Sequence, residues 1–428
     1  MPLAALQLRI HIPSCHHAAM TALLEPFTGY VPAADFAHRV VGPPVSMLSP
    51  DQRQAARVDP YSFRHVVGRG TGSSHEEAQE WLATCQDQGV LRPVGPAVFV
   101  YRLAKGDLVA TGIVADVAMS AYDSGLIKRH EMTISKTERK MANYMRTTRI
   151  YGNPVALAHR KHAAVSATIA AHTVRDADYS FIAADGFSHA LWVVPGDEAH
   201  QLCQSFDGPL YITDGHHRLA AASSVAAEEG RRDPHLPAGL FSSDELRLRS
   251  FARYVVDPEI ETDAVIDRLA SEHRLEEVSE VEARPRGPND FGVKIRGRSF
   301  RLHIDRDNVP DDLYGSLDVN LLQDLILEPV FGISNPRQDK RLHFAADLPE
   351  RSDNDIECDA WFHPFPPSVA DVMAVADSGR AMPPKSTWFG PKVPSGLVIR
   401  LLDKARARRG DQGQAEPRRG QQQLEATM

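Results

Sequence analysis

The chain of 428 residues is poor in cysteine, and the few cysteines that it has are far apart in sequence. They are Cys15, Cys85, Cys203 and Cys358. No two of them form a Cys-x-x-Cys pair, so their spacing argues against a zinc knuckle and against a disulfide framework. Reduced thiols are typical of the cytoplasm, which is the expected location.

Long apolar runs and an excess of positive charge are also missing. No run approaches the length of a transmembrane helix, and the first residues lack the basic start and apolar core of a secretion signal. With 48 basic and 56 acidic residues the formal net charge is −8, which argues against a protein that coats nucleic acid. A membrane and nucleic acid are therefore not the expected partners.

What the chain does contain is an ordinary globular balance, with 43% hydrophobic and 24% charged residues. Its length predicts two or three domains. Local patterns in the first half predict a helix at 75–89, strands at 98–103 and 108–117, a helix at 136–151 and a hairpin at 178–195. The second half predicts strands at 250–256 and 356–362, a hairpin at 291–304, and helices at 261–271, 318–330 and 368–377. This mixture predicts an α/β fold.

The most informative stretch is residues 211–222, which read Tyr-Ile-Thr-Asp-Gly-His-His-Arg-Leu-Ala-Ala-Ala. A β-prone run, an Asp-Gly turn and an alanine-rich run predict a strand that turns sharply into a helix. The first N–H groups of such a helix are free and its dipole is positive there, so the corner is a natural anion site. His216, His217 and Arg218 would add donors suited to phosphate. The same corner is also common in α/β proteins that bind nothing there.

A second feature is a basic island at 128–149, which holds seven Lys or Arg and two acidic residues. The predicted helix there places Lys136, Arg139 and Arg146 near one face. Such a face is consistent with plain solvation. Next to a nucleotide site it would instead neutralise phosphate charge.

Four stretches then occur in a fixed order along the chain. They are Asp59-Pro-Tyr-Ser-Phe63, Ser124-Gly-Leu-Ile-Lys-Arg-His-Glu131, Asp214-Gly-His-His-Arg-Leu-Ala-Ala and Met382-Pro-Pro-Lys-Ser-Thr. Together they resemble the bacterial family catalogued as domain of unknown function 1015, over roughly residues 23 to 402. The chain departs from it at Pro43-Pro44-Val-Ser-Met47, where the family often has Pro-Pro-Tyr-Asp-Val.

That family is similar to the ParB/sulfiredoxin superfamily, whose small α/β domain binds nucleotide phosphates at a Gly-x-x-Arg turn. Gly215-His-His-Arg218 fits this turn. Free serine kinases of the superfamily transfer phosphate from ADP or ATP to L-serine, using a glutamate as base and an aspartate near the turn. The resemblance therefore implies a ParB/sulfiredoxin-like nucleotide-binding region and a kinase acting on an amino-acid hydroxyl, free L-serine first, with Mg²⁺ and ATP or ADP.

The resemblance also implies the residues that would do this. The catalytic residues would be Glu131, Asp214 and His217, with Asp214 also the ligand of Mg²⁺. The phosphate-binding residues would be Gly215, His216, His217 and Arg218. Arg139 and Arg146 would bind the substrate carboxylate. From local sequence alone, Glu131 could equally form a salt bridge to Lys128 or Arg129.

Local composition and the resemblance together suggest a division of the chain. It comprises a peripheral segment at 1–22, an α/β segment at 23–99, the nucleotide-binding region at 100–230, an α+β region at 231–402 and a disordered tail at 403–428. The stretch Lys385-Ser-Thr-Trp388 either returns to the site or forms a rigid turn.

Three other functions are weighed against the kinase. Sulfiredoxin chemistry is disfavoured because it needs a cysteine where this chain has His216. A ParB-like nucleotide-binding regulator or scaffold without phosphotransfer stays open, since binding and transfer use the same phosphate cradle. A DNA clamp would also want a helix-turn-helix and a basic face, and the sequence shows neither.

Overall fold

The structure is a computed structural model that describes residues 22–44, 47–67, 75–133, 135–231, 234–346 and 357–402. The expected peripheral segment, apart from its last residue, and the expected tail lie outside the described residues. Mixed sheets and packed helices confirm the predicted α/β class.

Elements up to residue 242 build the larger part of the protein. Its strands are β1 Leu24–Glu25, β2 Phe27–Pro32, β3 Leu91–Lys105, β4 Leu108–Ala118, β5 Ile127–Lys128, β6 Ile150–Tyr151, β7 Val155–His159, β8 Tyr179–Ile182, β9 Ser188–Pro195, β10 Leu210–Asp214 and β11 His235–Ser242. Its helices are α1 Ala34–Val40, α2 Pro50–Val58, α3 Arg64–Val67, α4 His75–Asp87, α5 Met119–Asp123, α6 Ser135–Thr148, α7 Ala163–His172, α8 Gly196–Ser205 and α9 His216–Glu228.

Ten of these strands form one mixed sheet in the order β5-β10-β7-β11-β4-β3-β9-β8, with β1 beside β4 and β2 beside β3. The pairs β10/β5 and β11/β7 are parallel, and the other pairs are antiparallel. The division expected at residue 230 falls inside this sheet, because β11 is buried along nearly its whole length between β4 and β7.

The two faces of this sheet are covered by different elements. Helices α5 to α9 pack on one face and contribute apolar side chains such as Met145 and Leu219. The other face is covered by the helix at Val369–Asp377 and by the segment that follows it, through side chains such as Met373 and Phe389. The C-terminal segment is therefore part of the larger unit's core.

The remaining elements form a second sheet and a C-terminal segment that pairs with earlier parts of the chain. The strands of this part are β12 Arg247–Arg249, β13 Phe251–Val255, β14 Arg274–Glu277, β15 Asp290–Ile295, β16 Arg298–His303, β17 Leu342–Ala346, β18 Ala360–Pro364, β19 Trp388–Gly390 and β20 Arg400–Leu401. The helices are α10 Thr262–Glu272, α11 Asp318–Leu322, α12 Glu328–Phe331 and α13 Val369–Asp377, with a π-helical turn at Gln323–Leu327 joining α11 to α12. Six strands pair in the order β14-β16-β15-β18-β13-β17.

The end of the chain crosses back over the N-terminal elements. Strand β20 pairs with β6, β19 pairs with β12, and isolated bridges join Tyr30 to Ile399 and Gly42 to Ser395. These pairings bring residues 382–402 next to α6 and the corner after β10, more than a hundred residues away in sequence.

Most predicted elements are present. The stripe on α4 packs its Ala78, Trp81 and Cys85 side chains into a buried cluster, and the hairpins at 178–195 and 291–304 form as predicted. The predicted helix at 136–151 ends earlier, at Thr148, because Arg149 has a φ of 58° and the next two residues form β6.

Candidate functional site

The predicted strand–turn–helix corner is present where β10 ends and α9 begins. Gly215 has a φ of 101°, a conformation that side chains rarely tolerate, and it lets the chain reverse directly into the helix. A Cβ at this position would lie 2.8 Å from Cγ1 of Val155, so neither the backbone angle nor the space favours another residue. Gly215 is the N-cap of this helix and has no side chain, so no N-cap side-chain hydrogen bond forms at the helix start.

The carboxylate of Asp214 lies between two cations. Its Oδ2 accepts a hydrogen bond of 2.6 Å from Arg218, and its Oδ1 is 3.5 Å from Nζ of Lys392. Burial alone would raise the pKa of Asp214, but the charges of Lys392 and Arg218 outweigh it and hold that pKa below its usual range. Asp214 is thus an ionised acceptor under ordinary conditions.

Arg218 is committed to the protein rather than turned towards a ligand. Besides Asp214, its guanidinium donates to the carbonyl oxygens of Asn153 and Pro154 at 2.9 and 2.6 Å and to the Asn153 side chain at 2.9 Å. The geometry does not support the prediction that Arg218 binds phosphate directly. Its four hydrogen bonds instead hold the corner against the loop that precedes β7.

The two adjacent histidines of the corner differ in exposure. His216 is 7% exposed, and its ring packs edge-on against His130 with 4.6 Å between centroids. Burial lowers the pKa of His130 to about 4 and lowers the pKa of His216 as well, so both rings stay neutral near pH 7. His217 is half-buried and reaches the cavity described next.

A cavity of about 930 Å³ lies between the start of α9, helix α6 and the C-terminal segment. The predicted residues that line it are Glu131, Arg139, Asp214, Gly215, His216, His217 and Arg218. Met141, Met145, Tyr144, Tyr151 and Val67 give part of its wall an apolar character suited to a nucleobase. The structure therefore brings together seven of the eight predicted site residues.

Arg146 is the exception. Its guanidinium forms an ion pair with Glu228 of α9, and it does not line the cavity. Because α6 packs on α9 along this face, Arg146 points to the neighbouring helix, and its predicted role in binding the substrate carboxylate is not supported.

The cavity wall carries more positive than negative charge. Lys136, Arg139 and Lys140 of α6 are exposed to it, and none of them forms an ion pair with a described carboxylate. Lys385 joins them from the C-terminal segment. Such a cluster of basic side chains, facing the positive end of a helix, favours a polyanion over a neutral ligand.

Glu131 supplies a carboxylate to the same wall. It is half-buried, and among the described residues it forms no salt bridge, either to Lys128 or to Arg129. The preceding residue is held in place, because the His130 carbonyl accepts from Met382 N at 2.7 Å and its ring is 3.1 Å from Thr387 Oγ1. Glu131 is therefore placed by buried neighbours while its own acceptor oxygens stay available.

The residues of this site do not fit a metal ion held by the protein. Within the described ranges no three His, Cys, Asp or Glu side chains form a metal-binding group. Both oxygens of Asp214 already face cations, so the prediction that it ligates Mg²⁺ directly is not supported.

Three residues near this corner have no predicted role: Lys392, which faces Asp214, Asn153, which accepts from Arg218, and Tyr151, which lines the cavity. No local sequence signal connects Lys392 to Asp214, because the two residues lie far apart in the chain. The motif at Asp59 also has a structural explanation, since its carboxylate takes a bidentate ion pair from Arg39 at 2.9 Å beside a smaller cavity of about 390 Å³.

The family model described as Protein of unknown function (DUF1015) matches residues 24–320, and the chain belongs to this family. None of the curated proteins compared with the chain matches it.

No helix in the described part combines the length and apolarity needed to cross a membrane.

Solved structures similar to this chain include variants of a free serine kinase. One, in complex with AMP, is 18% identical with a TM-score of 0.34, covering 64% of this chain and 86% of that one. Another, in complex with ADP, is 17% identical with the same TM-score, covering 64% and 87%. SbnI with C-terminal truncation from Staphylococcus aureus is 12% identical with a TM-score of 0.38, covering 65% and 82%. These scores are too low to assign a function.

Replacing Gly215 by Ala should lower the free energy of unfolding by about 3 kcal/mol, because a left-handed backbone and a clash with Val155 both add cost. Gly208 is the matched control, with a φ of 92° and no atom within 4 Å of an added Cβ. Gly208→Ala should cost only about 1–2 kcal/mol. Urea denaturation compares the two, and equal losses would contradict the tight packing at the corner.

Acidification should destabilise the protein through His130. Its folded-state pKa of about 4 lies below the value of about 6.5 for an unfolded chain. As the pH falls below about 6.5, the unfolded state takes up a proton that the folded state does not. Stability then drops by about 1.4 kcal/mol per pH unit until the folded pKa is reached.

A His130→Leu variant isolates this contribution. Between about pH 7 and pH 5 it should lose less stability than the wild type, although it starts lower because the contact with Thr387 is gone. Chemical denaturation at the two pH values measures the difference. Identical losses in both proteins would show that His130 takes up its proton in the folded state.

Proposed function

We propose that this protein is a small-molecule kinase that transfers phosphate from ATP or ADP to an amino-acid hydroxyl, with free L-serine as the first acceptor to test. The observation that carries the proposal is the cavity itself. It joins an uncapped helix start, basic side chains without described ion-pair partners, and the carboxylate of Glu131. Anion binding beside an available base is what phosphoryl transfer to a hydroxyl requires.

The phosphates of the donor would lie at the first turn of α9. There the N–H groups after Gly215 donate to phosphate oxygens, and Arg139, Lys136 and Lys140 neutralise their charge. The apolar wall around Met141 and Tyr144 would receive the nucleoside. Arg139 is the arginine left to bind an acceptor carboxylate, because Arg146 is paired with Glu228.

Glu131 would accept the proton of the acceptor hydroxyl as the hydroxyl oxygen attacks the terminal phosphorus of the donor. The new bond joins that oxygen to phosphorus, and the bond to the bridging oxygen of the nucleotide breaks. ADP would leave as AMP and ATP as ADP. Asp214 acts beside this step by keeping Lys392 and Arg218 in place. The divalent cation expected with such donors would arrive on the nucleotide phosphates, since the described residues contain no cluster of three or more His, Cys, Asp or Glu ligands.

A nucleotide-binding regulator without transfer would use the same cradle, and Glu131 separates the two functions. In the kinase, Glu131→Gln removes the base, so the rate should fall by about 10²- to 10⁴-fold. Nucleotide affinity should change little, because the phosphates are held elsewhere. The assay incubates the purified chain with Mg²⁺, ADP or ATP, and L-serine, and detects O-phosphoserine and released nucleotide.

Glu138→Gln is the matched control, since Glu138 is a carboxylate of the same region that does not line the cavity. It should transfer phosphate at the wild-type rate. Wild-type turnover in Glu131→Gln would remove Glu131 as the base. Binding of ADP without transfer to serine or to other hydroxyl amino acids would favour the regulator.

A further inference from the structure

The C-terminal segment 382–392 lies beyond residues 24–320, which carry the family match, yet it forms part of the cavity wall. It is anchored to the residue before Glu131 through the backbone bond from Met382 to His130 and the contact of Thr387 with the His130 ring. Phe389 packs against the same ring at 5.7 Å between centroids. The segment is therefore fixed relative to the candidate base.

Lys385 occupies a strained position within this segment. Its φ is 54°, a left-handed conformation that is rare outside glycine and asparagine. It follows Pro383 and Pro384, and the Ser386 hydroxyl closes the turn by donating to the Pro383 carbonyl at 2.7 Å. In a turn with Pro at the second position and a positive φ at the third, glycine is the favoured third residue. A lysine there costs stability, and such costs are found most often at functional sites.

Few contacts within the described residues hold the side chain of Lys385. It is exposed, it lines the large cavity, and it forms no ion pair with any carboxylate of the described residues. The contact recorded for its ammonium is with the Phe251 ring, 5.5 Å from the centroid. Lys385 therefore adds a positive charge to the cavity from the C-terminal segment, on a wall that helix α6 does not form.

We propose that Lys385 is a ligand-binding residue whose ammonium contacts phosphate oxygens of the nucleotide in the large cavity. This rests on the proposed function. The turn built by Pro383, Pro384 and Ser386 carries that lysine, and the anchoring at His130 fixes the segment next to the residue before Glu131. Phosphate bound at the start of α9 is then contacted from helix α6 and from the C-terminal segment.

The test measures binding of adenosine, AMP and ADP by titration calorimetry at one ionic strength. Lys385→Gln should weaken ADP binding by about tenfold, AMP binding by less, and adenosine binding not at all, because the lost interaction scales with phosphate charge. Lys385→Arg keeps the charge and should stay within about threefold of the wild type. Lys161→Gln is the control, since Lys161 is exposed but does not line the cavity.

A glycine variant separates binding from folding. Lys385→Gly relieves the strained backbone, so it should melt at or above the wild-type temperature while losing ADP affinity as Lys385→Gln does. Unchanged ADP affinity in Lys385→Gln, or an equal loss for adenosine, would overturn the role of Lys385 and leave the kinase proposal standing. If the wild type itself binds no ADP, the nucleotide site and the role of Lys385 both fail.

Discussion

The hydrogen bonds of Arg218 are the constraint on which the rest of the site depends. One guanidinium ties Asp214, at the end of β10, to the backbone at Asn153 and Pro154 before β7. Gly215 can then turn without a side chain between these partners, and α9 begins at the wall of the cavity. A charged group that makes several hydrogen bonds in a partly buried place is costly to remove. This arginine is thus better understood as the support of the anion site than as its ligand.

The electrostatic arrangement follows from this support. Asp214 is satisfied by Arg218 and Lys392, so its negative charge is largely compensated within the protein. The exposed cations on α6 and the positive end of α9 then determine the potential of the cavity, with Glu131 as a carboxylate that forms no salt bridge among the described residues. The buried rings of His130 and His216, which pack edge-on, are neutral near pH 7 and add no charge to this cavity wall.

The corner could be predicted from sequence because its determinants are local. The Asp-Gly turn and the alanine-rich run at 218–222 decide the strand, the turn and the helix within a few residues. The partners of the corner could not be predicted. Arg218 meets Asn153 across 65 positions, and Arg146 meets Glu228 across 82. The packing of α6 on α9 decides which basic side chains of α6 face the cavity and which face the neighbouring helix. The periodicity of the α6 sequence does not contain this information.

The place of the C-terminal segment illustrates the same limit. Its Pro-Pro-Lys-Ser-Thr pattern predicts a turn, and a turn is present. No local sequence feature indicates that β19 pairs with β12 and β20 pairs with β6, which are the pairings that hold the segment near the first sheet. Strand β11 is comparable. Its residues are apolar and buried on both faces, so they show no alternation that would assign them to the first sheet rather than to the second.

The most direct measurement is a crystal structure of the protein with ADP. We predict phosphate oxygens within hydrogen-bonding distance of the N–H groups that follow Gly215, with the adenine on the apolar wall near Met141. ADP bound elsewhere, for instance in the smaller cavity beside Arg39 and Asp59, with the corner after β10 free of phosphate, would contradict it.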